Sequence, residues 1–388
     1  MPTASLPGGV ERFRREFPIV ESCLYLDHAG VSPVPLRTVR RVRCSLDEAC
    51  REAAFRYDNW LEAVEGVRSR FARLLGASAD EVAFTKNTSH GISLVARGLQ
   101  WRTGEKVLVA GKDFPANVYP WLALEKRGVE VRRIPLNREG GVDTEDVRRM
   151  LDGSVRLVAL SSVLFWNGYR VPLDEIGPMC RERGVLLFVD AIQSLGVVPI
   201  DVERMCIDFL AADGHKWLLA PEGTGVFYCR RELAAELEPP LLGWKSVVGD
   251  DDYDTIDFTL KPTALRFEEG STNVMGVVAL GASLELLEEY GVDAVCERVL
   301  GLGELVMEEA VKRRMVIHTP RDRRRRAGIV SLRGDFSPHV VREALKGERV
   351  MVNVRGGALR VSPHFYNTPD DVARLFEAID RVLRHSPG

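Results

Sequence analysis

Lys216 and His215 occur in ADGHKW (Ala212 to Trp217), between the apolar run IDFLA and the glycine-rich PEGTGVFY. An amine at the end of a buried strand can attack a carbonyl or, once desolvated, take up a proton; taken alone, an ordinary surface lysine also explains it. Asp190 ends VLLFVD and is followed by Ala191, Ile192 and Gln193, so a carboxyl and an amide leave a buried strand together. A buried carboxylate needs a cationic or hydrogen-bonding partner. Thr88, Ser89 and His90 lie between EVAFT and GISLVARGL. Hydroxyls and free backbone N–H groups at a helix start bind anions, or simply cap the helix. Phe114 and Pro115, after KVLVA, put an aromatic ring at the same edge, where core packing is the plainer alternative.

A sheet must position these groups. From about residue 60, short β-branched runs alternate with amphipathic segments: EVAFT, SHGISLVARGL, KVLVA, YPWLALEKRG, VEVRRIP, EDVRRMLDG, RLVALSSV, LDEIGPMCRERG and VLLFVDA. That alternation predicts an α/β fold with a largely parallel sheet covered on both faces. In such a sheet ligands bind beyond the carboxyl ends of the strands, where all these residues fall. A lysine, an acid, a flat ring and an anion cradle are together what pyridoxal 5'-phosphate requires for its aldehyde, ring nitrogen, ring face and phosphate. Beyond ADGHKW come a further strand (GTGVFYCRRE), an irregular segment through GWKSVVGDDDYDTIDF and the helix MGVVALGASLELLEEYG. Short strands and helices follow (MVIHT, GIVSLRG, SPHVVREALKG, LRVSP, DDVARLFEAIDRVLRH). The expected organisation is an N-terminal segment, 1–55, packing with a small C-terminal α/β domain, 291–388, and a large cofactor-binding domain, 56–290.

The chain has 388 residues, 45% of them hydrophobic and 28% charged, enough to bury a large core. A net charge of −3 gives no overall pull toward nucleic acid or an anionic membrane. The basic run RDRRRR (Arg321 to Arg326) lacks interleaved aromatics and is expected to be a solvated loop. The N-terminus MPTASLPGGVERFRREF has no apolar leader core, and no stretch reaches the roughly 18 apolar residues of a membrane span. A cytoplasmic protein is expected. The seven cysteines are scattered and never form a CxxC pair, against a disulfide framework or a zinc knuckle, and no metal is expected. A nucleotide-binding Rossmann protein lacks its GxGxxG after the first strand, and no GxxxxGK occurs.

DAIQSLGVVPIDV followed by DFLAADGHKWLLAPEGTG, with FTKNTSHGISLVARGL upstream and RFEEGSTN downstream, resembles the class V aminotransferase family of fold-type I pyridoxal-phosphate enzymes. That family includes cysteine desulfurases, selenocysteine lyases and isopenicillin N epimerase-like proteins. The resemblance runs from YLDHAGVSP to RVSPHFYNTPDDVARL, nearly the whole chain. It implies that Lys216 carries the cofactor as a Schiff base, that Asp190 pairs with the ring nitrogen and that Gln193 donates to the ring hydroxyl. It also implies that Thr88, Ser89 and His215 hold the phosphate and that Phe114 stacks on the ring where desulfurases place a histidine. Asp213 replaces a family serine and is expected to point away from the phosphate. Arg360 matches the arginine that pairs with the substrate carboxylate, with Arg355 a second candidate. His28 falls where the N-terminal segment approaches the substrate, or is a capped loop histidine. RFEEGSTN resembles the segment that reaches across a homodimer, which would put Ser271 or Thr272 at the partner's phosphate.

An amino acid substrate would pass through an external aldimine and a quinonoid, from which transamination, β-elimination and epimerisation all branch. Desulfurases carry a nucleophilic cysteine shortly before the carboxylate-binding arginine, whereas MVNVRGGALRVSP passes from Arg355 to Arg360 without one. A persulfide-forming desulfurase is therefore disfavoured. A non-catalytic cofactor-binding accessory protein is the alternative from another class; retention of Arg360 beside Lys216, Asp190 and Gln193 favours an enzyme.

Overall fold

The structure, a computed structural model, describes residues 9–385. MPTASLPG, part of the stretch searched for a leader, lies outside the described residues. The strands of the large sheet are β1 (Val82–Thr85), β2 (Lys106–Ala110), β3 (Glu130–Ile134), β4 (Val155–Ser161), β5 (Leu186–Asp190), β6 (Phe209–Asp213) and β7 (Gly225–Cys229). They form one sheet in the order β1-β7-β6-β5-β4-β2-β3. Pairing is parallel from β6 out to β3, while β7 runs against both its neighbours. The sheet is thus mixed but mostly parallel, because the chain reverses over residues 214–224 and GVFYC returns antiparallel to β6, inserting beside β1.

Strand residues alternate between two cores. Leu187, Val189 and Leu210 face one, and Phe188, Phe209 and Ala211 the other, as a two-residue side-chain period requires. The edge strand β3 carries Glu130, Arg132 and Arg133, charges that discourage pairing with another chain. A third core belongs to a smaller antiparallel sheet of β8 (Val316–Ile317), β9 (Val330–Arg333), β10 (Asn353–Arg355) and β11 (Ala358–Val361), in the order β10-β11-β9-β8.

The N-terminal segment divides between the two parts. Leu24–Tyr25 pairs in parallel with Val350–Met351 beside the small sheet, and Asp27 bridges to Ser362. Helix Leu36–Arg51 packs instead on helix Val274–Tyr290, where Thr38 Oγ1 lies 2.7 Å from Ser283 Oγ. The RDRRRR run is drawn into ion pairs: Arg323 and Arg326 reach Glu304 at 2.6 and 2.7 Å, and Arg325 lies 3.6 Å from Glu139 and Asp143. Among the described residues no helix is long and apolar enough to cross a membrane.

Candidate active site

Parallel register brings the chemistry together. Ser161, Asp190 and Ala211 lie side by side across β4, β5 and β6, so the ends of these strands share one edge of the sheet. Beyond that edge is a cavity of about 470 Å³ lined by Thr88, Ser89, Phe114, Asp190, Gln193, Asp213, His215, Lys216, Arg355 and Arg360, with Tyr25, Asp27 and Ala29 of the N-terminal segment. Its size suits a small organic ligand.

Lys216 sits in the turn after β6, and both of its neighbours are pinned. The His215 carbonyl accepts from the Ser32 N–H at 2.8 Å, and the Trp217 carbonyl lies 3.1 Å from His364 Nε2. Burial pulls the Lys216 amine below the ordinary lysine range; Asp190 and Asp213 oppose this, while Arg360 and Arg355 reinforce it. Asp190 is 1% exposed. Its Oδ1 accepts from the Ile192 N–H at 3.0 Å, but Oδ2 has no partner. Burial pushes this carboxyl up, Asp113 adds to the effect and Lys216 opposes it. An uncompensated buried carboxylate oxygen is costly, and a ligand that donates to it removes that cost.

The anion cradle is built at helix Thr88–Gly98. Its cap is Asn87, whose Oδ1 accepts from the His90 N–H at 2.9 Å. Neither Thr88 nor Ser89 is needed as a cap, and the first N–H groups of a helix have no acceptor within it. Thr88 Oγ1 is buried without a partner. The helix can lie this close because position 91 is glycine: a Cβ there would stand 2.6 Å from Ala211 Cβ in β6.

Phe114 is 39% exposed, and its ring centroid is 5.5 Å from Lys216 Nζ. Asp113 fixes it: this carboxylate accepts from the Phe114 N–H at 2.7 Å, Ser161 Oγ at 2.6 Å and Asn117 Nδ2 at 3.0 Å. Gln193 is held by Trp217 Nε1, which donates to Oε1 at 2.9 Å, and by the Ala29 carbonyl, which accepts from Nε2 at 3.1 Å; one amide hydrogen stays free for a ligand. Arg360 is 2% exposed and already paired, with Nη2 3.0 Å from Asp27 Oδ1 and Nη1 3.1 Å from the Phe165 carbonyl.

Some sequence expectations change. Asp213 lines the cavity, with Oδ1 3.1 Å from His215 Nδ1. His28 does not reach the cavity. It is fully buried, with Nδ1 2.8 Å from the Ser362 carbonyl and Nε2 2.7 Å from the Tyr366 hydroxyl, so both ring nitrogens are committed. Ser271 and Thr272 line a different pocket, with Thr85, His90 and Thr224. Asp27, Asn87 and Asp113 were missed.

Between β10 and β11, Arg355 pairs directly with Ala358 across Gly356 and Gly357, at φ 59° and 77°. Two residues with positive φ make the tightest of hairpin turns. Among the described residues no cysteine lines the cavity.

The aminotransferase class-V family pattern matches residues 24–375. This chain belongs to the class-V aminotransferase family. The enzyme is accordingly pyridoxal-phosphate-dependent, and its orphaned Asp190 oxygen, open helix start and desolvated lysine fit that group. It is 32% identical to a probable cysteine desulfurase of Methanothermobacter thermautotrophicus, over 96% of this chain and 98% of that one. It is 28% identical to a probable cysteine desulfurase of Pyrococcus abyssi over the same shares. A cysteine desulfurase from Thermococcus onnurineus superposes over 100% of both chains with a TM-score of 0.89 at 26% identity.

Proposed function

We propose that this class-V enzyme cleaves the carbon–sulfur bond of a cysteine-type amino acid by β-elimination. The desulfurase names of its relatives support the sulfur amino acid. The observation that carries the choice of reaction is the two-residue turn after Arg355, in a cavity without a cysteine. Alanine formation with a protein persulfide needs a thiolate beside the substrate sulfur. Without one, sulfur leaves with the bonding electron pair, and cysteine plus water gives pyruvate, ammonia and sulfide.

Pyridoxal phosphate, when bound, supplies an electron sink that acidifies the substrate Cα–H. Asp190 would hold its ring nitrogen, Thr88, Ser89 and His215 its phosphate, Phe114 its ring face and Gln193 its ring hydroxyl. Lys216, its amine desolvated, takes the Cα proton. Arg360 and Arg355 hold the substrate carboxylate, Arg360 from a guanidinium kept in place by Asp27.

A homodimer completes the proposal. Ser271 and Thr272 would serve the partner's phosphate, each subunit lending the same loop. Tyr253, Ile256 and Phe258, 74%, 94% and 70% exposed in the preceding segment, support a covered face.

The reaction is tested by supplying cysteine to the holoenzyme and separating alanine from pyruvate, with thiol trapping on the protein. Pyruvate and sulfide are expected. Stoichiometric alanine with a protein persulfide would refute elimination and establish the desulfurase reading that the relatives' names favour.

A further inference from the structure

Asp213, the last residue of β6, puts a carboxyl where the cavity takes an anion. In β6 the side chains of Ala211 and Asp213 share a face, and helix Thr88–Gly98 lies on it, since Gly91 stands over Ala211. Asp213 therefore emerges beneath the start of that helix, and its neighbour across the ladder, Gly225, has no side chain to cover it. The carboxyl group is 6% exposed and lines the cavity together with Thr88, Ser89 and His215.

Among the described residues its one ion-pair partner is His215. Asp213 Oδ1 and His215 Nδ1 are 3.1 Å apart and both buried, yet neither makes an aligned hydrogen bond. Of the other charged groups lining the cavity, Asp27 and Asp190 make no ion pair with the ring, and Lys216, Arg355 and Arg360 oppose a positive charge on it. A bare carboxylate beside a bound phosphate repels it. A neutral imidazole carries one N–H and can serve only one of two anions, whereas an imidazolium donates from both nitrogens.

We propose that Asp213 is a positioning residue for the cofactor phosphate: it holds His215 with Nδ1–H toward its own carboxylate and makes the ring an imidazolium whose Nε2–H pairs with the phosphate. The proposal rests on the placement of that phosphate at the helix start and goes beyond it. A phosphate monoester is a dianion above a second ionisation at roughly pH 6. Binding it at neutral pH or above then brings one proton from solvent onto the ring, forming a single N–H bond, and nothing is oxidised or reduced. The Asp213–His215 pair adds no net charge and presents a charge-assisted donor where the acid alone would repel.

The test reads protonation and cofactor retention in the holoenzyme. Nitrogen NMR of isotope-labelled histidine should show both ring protons on His215 at about pH 8, where an unperturbed imidazole is neutral, and phosphorus NMR a dianionic phosphate. Asp213→Asn, of the same shape, should weaken cofactor binding about tenfold at about pH 8 and much less at about pH 6, where the imidazole is protonated without help. In a His215→Asn background the same change should strengthen binding, because only the repulsion is removed. A neutral His215 at the higher pH, a monoanionic phosphate, or an Asp213→Asn variant that binds cofactor no more weakly there, or more weakly by the same factor at both pH values, overturns the proposal. If His215→Asn weakens cofactor binding while Asp213→Asn does not, the phosphate placement stands and the proposal alone falls. A His215→Asn variant that retains cofactor like the wild type removes the placement, and the proposal with it.

Discussion

Replacing Asp190 by asparagine should have opposite effects on the bare protein and on the holoenzyme. The carboxylate is 1% exposed and receives one hydrogen bond, from Ile192, while Oδ2 receives none. In the cofactor-free protein, an amide of the same shape removes a buried charge, so stability should hold or rise by about 1 kcal/mol. With pyridoxal phosphate present the sign reverses. A charge-assisted hydrogen bond to the ring nitrogen contributes about 1.5–3 kcal/mol, so cofactor affinity should fall roughly 10- to 150-fold. Its pH dependence also has a definite sign. The folded-state pKa of Asp190 is raised, so the folded state keeps the proton longer than the unfolded state. Its contribution therefore makes the cofactor-free protein less stable as pH rises from the ordinary carboxylate range toward neutrality, and the asparagine variant lacks that slope. Urea unfolding with and without cofactor, across pH, measures both effects. A variant several kcal/mol less stable without cofactor, yet unchanged in cofactor affinity, would show that Asp190 is a structural acid and refute the reasoning.

His364 is fully buried and held down to about 4 by desolvation, so its contribution is complete above the unfolded value near 6.5 and is lost as pH falls through about 4. Acid unfolding of wild type should show about 3 kcal/mol of loss over that window, which His364→Asn flattens. Asp27→Asn should cost about 3–5 kcal/mol in thermal or urea unfolding, because Arg360 is left as an unpaired buried cation. Gly91→Ala, which drives a Cβ to 2.6 Å from Ala211 Cβ, should cost about 1–3 kcal/mol and weaken binding of inorganic phosphate at the displaced helix start.

Lys216, Asp190, Gln193, Thr88 and Phe114 were legible because each sits just beyond an apolar run, and parallel strands put all such ends on one edge. Asp27 was not, because its partner Arg360 lies far along the chain and only folding joins them. The signal was nevertheless present in YLDHA. As far as Asp27 the segment is extended, so Tyr25 and Asp27 share the side that lines the cavity while Leu24 and Leu26 enter the small-sheet core, and residues 28–30 then turn. That alternation points to Asp27, and not to His28, as the residue that faces the cavity. Asn87 is hidden in sequence because Thr88 and Ser89 are equally good caps, and Asp113 because its partner Ser161 lies 48 residues further on, at the end of β4. The insertion of β7 against the parallel run is not encoded in the side-chain pattern, because the reversal over residues 214–224 is closed by backbone, with the Gly214 N–H donating to the Thr224 carbonyl at 2.9 Å.

The claim on which everything else depends is that Lys216 carries the cofactor, and borohydride reduction of the holoenzyme followed by peptide mass mapping tests it most directly. The account predicts one pyridoxyl group per chain, on the peptide containing Lys216, and none in Lys216→Ala. Pyridoxyl label on another lysine, or retained in Lys216→Ala, would contradict it.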